Sequence, residues 1–341
     1  MVQATNDRST QRVCPMTIPA LLRNASLAVA LLAPLFCAAQ EYEDWIVQCD
    51  NINHCEAVGY GQDSETAQWI AFQVMRDAGP ATAVSAKFIL AEDGPEKPAA
   101  ITMTVDGYRP VPIQANGPIP HEAAHELLDR MIDGKAGQAS DGRQRWTLPL
   151  AGMKAALLRM DALQGRIGTP GALVRRGSRP ETSVPPAPAM PVLRAAPRAQ
   201  SIHDRKIKAA LLAEIHPGEE DTGFHGLYRL ADGRLLYLLE LGRGPMDSFH
   251  EIWLANGQPP YRPRELQPPT NGLPADALIN ADFDGQVLES NIGRGFAGCL
   301  HSTKWLWTGD SFELLMMNHA DHCRGMLGLI EHRKWVARKV P

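Results

Sequence analysis

Residues 44–60 read DWIVQCDNINHCEAVGY. Two apolar runs, WIVQC and CEAVGY, flank the five residues Asp50, Asn51, Ile52, Asn53 and His54. Alternating apolar runs on either side of a short Asn/Asp-rich stretch are the pattern of an antiparallel hairpin. Cys49 closes the first run and Cys55 opens the second, so a bond between them would lock the turn. Closing so short a loop contributes about 2 kcal/mol in the chain-entropy account.

The same strand-like signal recurs on both sides of a proline-rich segment. WIAFQVMR, SAKFILA and ITMTV follow the hairpin, and ALVRR is expected as a last strand of this part. Two helices interrupt the series. Residues 120–133 place Ala124, Leu127, Leu128 and Met131 on one face, and residues 151–164 do so with Met153, Ala156, Leu157, Met160 and Leu163. Residues 178–199, SRPETSVPPAPAMPVLRAAPRA, hold six of the 27 prolines, the composition of a semi-rigid extended spacer. Beyond it a helix is expected from Asp204, followed by GLYRLADGRLLYLLEL, two strands joined at Asp232 and Gly233. FHEIWLA, QVLESNI, KWLW and FELLMM continue the strands, with Gly309 and Asp310 turning between the last two. The expected fold is α+β: two domains dominated by antiparallel sheet, at 40–177 and 200–341, joined by the spacer at 178–199. Strands and helices do not alternate in the manner of a doubly wound parallel sheet.

Residues 1–39 read as a signal peptide. Arg12 and Arg23 lead into the apolar run 25–36, which closes on Cys37, Ala38 and Ala39. The run is too short for a stable membrane anchor, and cleavage is expected after Ala39. A lipidated Cys37 is disfavoured, because Pro34, Leu35 and Phe36 do not supply the small residue such a site needs. Cleavage removes Cys14 and Cys37, leaving Cys49, Cys55, Cys299 and Cys323. An even set in an oxidising compartment reads as two disulfides, Cys49–Cys55 and Cys299–Cys323, one per domain. Cleavage also removes Arg8, Arg12, Arg23 and the single acid Asp7, taking the net charge from −4 to −6. A mildly acidic chain with 44% hydrophobic and 21% charged residues is globular and lacks the electrostatic footprint of a nucleic-acid binder. No later apolar run reaches membrane-spanning length. The mature chain is therefore expected to work outside the cytoplasm.

The phrases DWIVQCDNINHCEAVGY, LPLAGMKAALLRMDALQGRIGTPGALVRRG, the proline spacer and CLHSTKWLWTGDSFELLMMNHADHCRG stand here in an order that resembles an uncharacterised periplasmic proteobacterial family, domain of unknown function 1176. The first half in turn resembles the invasion-associated locus B proteins, secreted envelope proteins with no established catalytic residues. The resemblance implies location and architecture and transfers no active-site residue. In that family a cysteine often follows the helix near Ile215 and another stands where this chain has Glu240. Both are absent here, which removes one disulfide without orphaning a thiol.

Several constellations carry metal-capable, nucleotide-binding or stacking chemistry. His121, Glu122, Ala123, Ala124 and His125 match HExxH, which sets two imidazoles on one helical face for zinc with the glutamate as general base. A working site needs a third ligand, and of Glu126, Asp129 and Asp133 none is well placed. The start of an amphipathic helix is the favoured reading. Cys299, His301, His319, His322 and Cys323 form a second cluster, for which a structural disulfide worth about 3 to 4 kcal/mol is favoured over a zinc site. Residues 293–298 satisfy GxGxxG but run into a strand rather than the helix a dinucleotide site requires. Trp305 and Trp307 share one strand face, either as core or as an exposed pair for stacking on glycan rings, and core is favoured. Arg333, Lys334, Arg338 and Lys339 read as a solvated basic terminus. No catalytic residue and no cofactor are assigned. The expectation is a non-enzymatic binding or accessory module acting on an envelope protein or cell-wall polymer. Its alternatives are a zinc-dependent hydrolase on His121, Glu122 and His125, and a glycan-binding module on Trp305 and Trp307.

Overall fold

The computed structural model describes residues 39–61, 69–91, 100–106, 111–114, 117–218, 226–273, 278–294, 299–320 and 330–341. Residues 1–38, which hold all but the last residue of the expected signal peptide, lie outside them.

The hairpin of residues 44–60 forms as its pattern requires. β1 (Gln40–Tyr42), β2 (Trp45–Cys49), β3 (Cys55–Tyr60), β4 (Trp69–Arg76) and β5 (Val84–Ala91) lie side by side in one antiparallel sheet. β6 (Ala100–Val105) and β7 (Val111–Gln114) belong to a second sheet, while β8 (Pro118–Ile119) closes the first. After α1 (His121–Met131), β9 (Ala136–Ser140) and β10 (Arg145–Pro149) complete the second sheet in the order β10-β9-β6-β7, and α2 (Met153–Leu163) follows. Cys49 faces Cys55 in register and the two are bonded. Inside the turn, the Asp50 carboxylate accepts the backbone N–H groups of Ile52 and His54, both at 2.9 Å.

Side-chain alternation gives the first sheet two different faces. One face buries Trp45, Val47, Ala57, Phe72, Val74, Ala86 and Phe88 in the main core, which both helices and the second sheet complete. Trp45 occupies the space over Gly59, where a Cβ would stand 2.4 Å from the indole, and it donates from Nε1 to the carbonyl of Pro149 at 3.1 Å. α2 starts at Gly152, whose φ of 87° and close approach to the Tyr42 carbonyl leave no room for a side chain. The other face carries Ile46, Val58, Tyr60, Ala71 and Ile89, which pack with Ile330 from the far end of the chain. β3 is consequently buried on both sides.

ALVRR is not a strand. The N–H groups of Leu173 and Val174 donate to the buried Asp161 carboxylate at 2.8 and 3.0 Å, which bends the backbone around that acid instead of pairing it with a neighbour. The proline-rich segment is held at intervals. Gly171 N–H donates to Glu181, β11 (Val192–Arg194) runs parallel to the chain's last strand, Ala196 N–H donates to Trp307 and Ala199 N–H to Gly285.

The two remaining large sheets are antiparallel. β12 (Gln200–Ser201), β13 (Gly226–Arg229), β14 (Leu235–Arg243), β15 (Ser248–Ala255) and β16 (Arg264–Glu265) form one sheet, with β17 (Leu278–Ile279) also on β15. β18 (Asp282–Phe283), β19 (Val287–Arg294), β20 (Cys299–Trp307), β21 (Phe312–His319) and β22 (His332–Val336) form another, and β23 (Arg338–Val340) is the partner of β11. Alternation again divides the burial. Leu236, Leu238, Ile252 and Leu254 meet Leu288, Trp305, Trp307 and Leu314 between the two sheets. Leu235, Tyr237 and Leu239 meet Leu211 and Leu212 of α3 (Arg205–Ile215), whose N-cap Asp204 accepts from Lys206 and Ile207. Gly233 and Gly309 take the positive φ values their turns need. The fold class is α+β with predominantly antiparallel sheet.

Candidate functional site

The motif residues and the buried polar residues lie in different places. His121 and His125 stand one turn apart at the start of α1, ring centroids 4.7 Å apart and edge to face. His121 and Glu122 are exposed, and His121 Nδ1 lies 3.1 Å from both N and O of Val84 on β5. Burial, helped by His121, pushes the His125 imidazole below the usual histidine range. The acids nearby are paired with cations. Arg176 grips Asp129 with both terminal nitrogens at 2.6 and 3.1 Å, Arg130 holds Glu126, and Lys154 meets Asp133 at 2.7 Å. Among the described residues no group of three His, Cys, Asp or Glu side chains is arranged to hold a metal ion.

Trp305 and Trp307 are 3% and 1% exposed, so the glycan-stacking alternative lacks the open ring faces it needs. Trp305 also donates from Nε1 to Pro269 O at 2.8 Å. The partnership of Cys299 with Cys323, together with His322 and residues 295–298 of the glycine-rich motif, lies outside the described side chains. His301 and His319 come together in register on β20 and β21 with stacked rings, centroids 4.2 Å apart. One strand further, His319 stands opposite His332 on β22.

His332 leads to a polar seam that the sequence reading missed. Arg333 and Lys334 are not a solvated terminus. Arg333 pairs with the Asp50 carboxylate in the hairpin turn, and the Lys334 ammonium donates to Gln48 at 2.9 Å. Asn51 exchanges two hydrogen bonds with the Val336 backbone, at 2.9 and 2.8 Å. A register irregularity makes this possible, since Asn318 faces Arg333 while Met317 faces Trp335, leaving Lys334 as the extra residue. Such a bulge re-aims successive side chains that strict alternation would send to opposite faces.

Glu56 lies at the centre of the seam. Its Oε2 accepts from Gln73 at 3.0 Å and faces His332 Nδ1 at 3.5 Å, while Oε1 faces His54 Nε2 at 3.4 Å. Burial pushes the carboxyl up, but the two imidazoles outweigh it and hold the pKa at about 2. Tyr60 OH lies 3.4 Å from His332 Nε2, and both side chains are buried. At Asp50, burial pushes the carboxyl above its usual range, against Arg333 and the turn N–H groups. This arrangement can hold and share protons, but its central groups are closed to solvent.

A second buried network lies behind β4. Arg76 donates to the carbonyls of Thr82 and Gly171 at 3.2 and 2.7 Å. Arg166, fully buried, donates to Gly79 O, to Gln164 Oε1 at 3.1 Å and to Asp77 O at 3.3 Å, and faces Glu181 at 3.6 Å. Burial and the neighbouring Arg166 push Arg76 down to about 10. Gln164 ties the network to the hairpin through the Asn53 carbonyl at 3.0 Å.

The seam joins a residue-50 turn to a residue-333 strand, so it requires the whole chain, and the family comparison matches at that scale. The family described as proteins of unknown function, DUF1176, matches residues 39–338. The chain belongs to the DUF1176 family. An Escherichia coli K12 protein, uncharacterized protein YpfG, is 27% identical over 312 residues, covering 82% of this chain and 86% of that protein. The crystal structure of invasion associated protein b from Bartonella henselae aligns with 38% of this chain and 99% of its own length, at 17% identity and a TM-score of 0.27. In this DUF1176 chain Glu240 is buried and held by Arg243 at 2.8 and 3.1 Å.

Proposed function

We propose that this DUF1176 protein is a secreted, periplasmic accessory or binding module of the cell envelope, with no catalytic centre of its own. The observation that carries the binding reading is an apolar group at the shared end of β14 and β15: Leu241, Met246 and Phe249 are 45%, 67% and 47% exposed. Exposed apolar residues that form a contiguous patch mark interaction sites. Export is supported by the charged, apolar and small-residue order of residues 1–39 and by the Cys49–Cys55 bond, which suits an oxidising compartment. The first strand begins at Gln40, the residue that cleavage after Ala39 leaves in front. Among the described residues no helix is long and apolar enough to cross a membrane. A two-domain organisation, 40–177 and 200–341, goes with this reading, supported by a main hydrophobic cluster within 45–173 and two further clusters within 199–317.

Two measurements test the proposal. Intact mass of the protein released from the periplasm should place its N-terminus at Gln40 with Cys49 and Cys55 oxidised. A retained residue 1 on a cytosolic, reduced chain would overturn the location. Cross-linking in envelope fractions should give a defined adduct that Phe249→Ser and Met246→Ser reduce together, and an unaltered adduct would remove this surface from the function.

A further inference from the structure

His54 lies between two carboxylates, one on each ring nitrogen. Nδ1 is 2.7 Å from Asp77 Oδ1, and Nε2 is 3.4 Å from Glu56 Oε1. A neutral imidazole carries one N–H and can donate to only one of them, whereas an imidazolium donates to both. The backbone that carries the ring is held in place. Its backbone N–H is held by Asp50, its own carbonyl accepts from Asp50 N–H at 3.0 Å, and the next residue is the disulfide-bonded Cys55.

We propose that His54 is a proton-operated clamp: as imidazolium it ties the disulfide hairpin to the turn after β4 and, through Glu56, to β22, so this seam is tighter in mild acid and loosens as the pH rises.

The surroundings fix the sign. Facing the imidazole or its acceptor are Asp50 in the hairpin turn, Glu56 and Tyr60 on β3, Gln73 on β4, Asp77 after β4, Gln48 on β2, and His332, Arg333 and Lys334 on β22. Burial and the Arg333 charge both oppose a proton on His54, yet its bonds to Glu56 and Asp77 prevail and raise its pKa above the usual value. A histidine raised in the folded state contributes stability that is fully present below about pH 6.5 and is lost as the pH climbs through the folded value. Glu56, held at about 2, contributes stability present above its ordinary value of about 4.5 and lost as the pH falls towards 2. The clamp therefore works best between about pH 4.5 and 6.5. Asp50, whose carboxyl burial raises, gives an opposing slope in acid, so the test must read His54 itself.

The test is a ring-resonance titration of His54 by NMR in the mature chain, assigned by His54→Gln. Asp77 is 75% exposed at its side chain, so Asp77→Asn removes one carboxylate charge without disturbing the core, and Glu56→Gln removes the other. The wild-type ring should titrate above about 6.5, and each variant should lower it. Amide protection factors on β3 and β22 should fall between pH 6 and 8, by up to tenfold for each unit of His54 elevation, and His54→Gln should abolish that fall. Titration at or below 6.5, or a value unmoved by Asp77→Asn, overturns the clamp.

Discussion

Arg76 and Arg166 meet Asp161, Glu181 and Gln164 behind β4, whereas His54, Glu56 and His332 meet between β3 and β22. Both networks are buried and both touch the same hairpin, one at Asn53 and the other at Glu56. They differ in the group that carries the cation. A guanidinium keeps its charge throughout the physiological range and spreads its donors over several carbonyls, which suits permanent fastening of a loop. An imidazole gains or loses its charge near neutrality, so the contact it makes follows the surroundings. They also differ in reach. The arginine network joins segments within the first half of the chain, while the histidine seam brings residue 333 to residue 50.

The largest effect is expected at the arginine network. Arg166→Met removes the cation facing Glu181, leaves several carbonyls without their donor and should cost about 3 to 5 kcal/mol, with little change between pH 5 and 8. Chemical denaturation at the two pH values checks both statements. At the seam, Asp50→Ala strips the acceptor from Arg333 and from two turn N–H groups and should cost about 2 to 3 kcal/mol. Replacing Cys49 and Cys55 together by serine should cost about 2 kcal/mol, and the seam side chains should still hold the hairpin in place, as amide exchange would show. His121→Ala should change stability by no more than about 0.5 kcal/mol, because that side chain is exposed. A large loss there, or a change in bound zinc, would return the HExxH residues to the centre of the account.

Much of the sheet architecture was legible because period-two alternation is a local signal. WIAFQVMR is β4 residue for residue, and Ala124, Leu127, Leu128 and Met131 are the buried face of α1. ALVRR failed because its strand-like residues say nothing of Asp161, which captures their N–H groups from α2. Arg333 and Lys334 failed because charges near a chain end are ordinarily solvated and their partners stand more than 280 residues away. A hint was nevertheless present in residues 44–60. Gln48 and Glu56 fall on the same strand face as Ile46, Val58 and Tyr60, and polar residues on an otherwise apolar face signal a buried polar partner from elsewhere. For HExxH the amphipathic-helix reading was the better guide, since a five-residue pattern carries no information about a third ligand while the apolar spacing of Ala124, Leu127, Leu128 and Met131 marks the buried face of α1.

That β22 is fastened to the hairpin by its own charged side chains is open to a double-mutant cycle on Asp50→Asn and Arg333→Met, followed by denaturation at pH 7. A coupling of about 1 kcal/mol or more between the two sites is expected of a pair in direct contact whose carboxylate is buried. Additivity within about 0.3 kcal/mol would mean that the last strand is held by its sheet alone and that the seam does not fasten it.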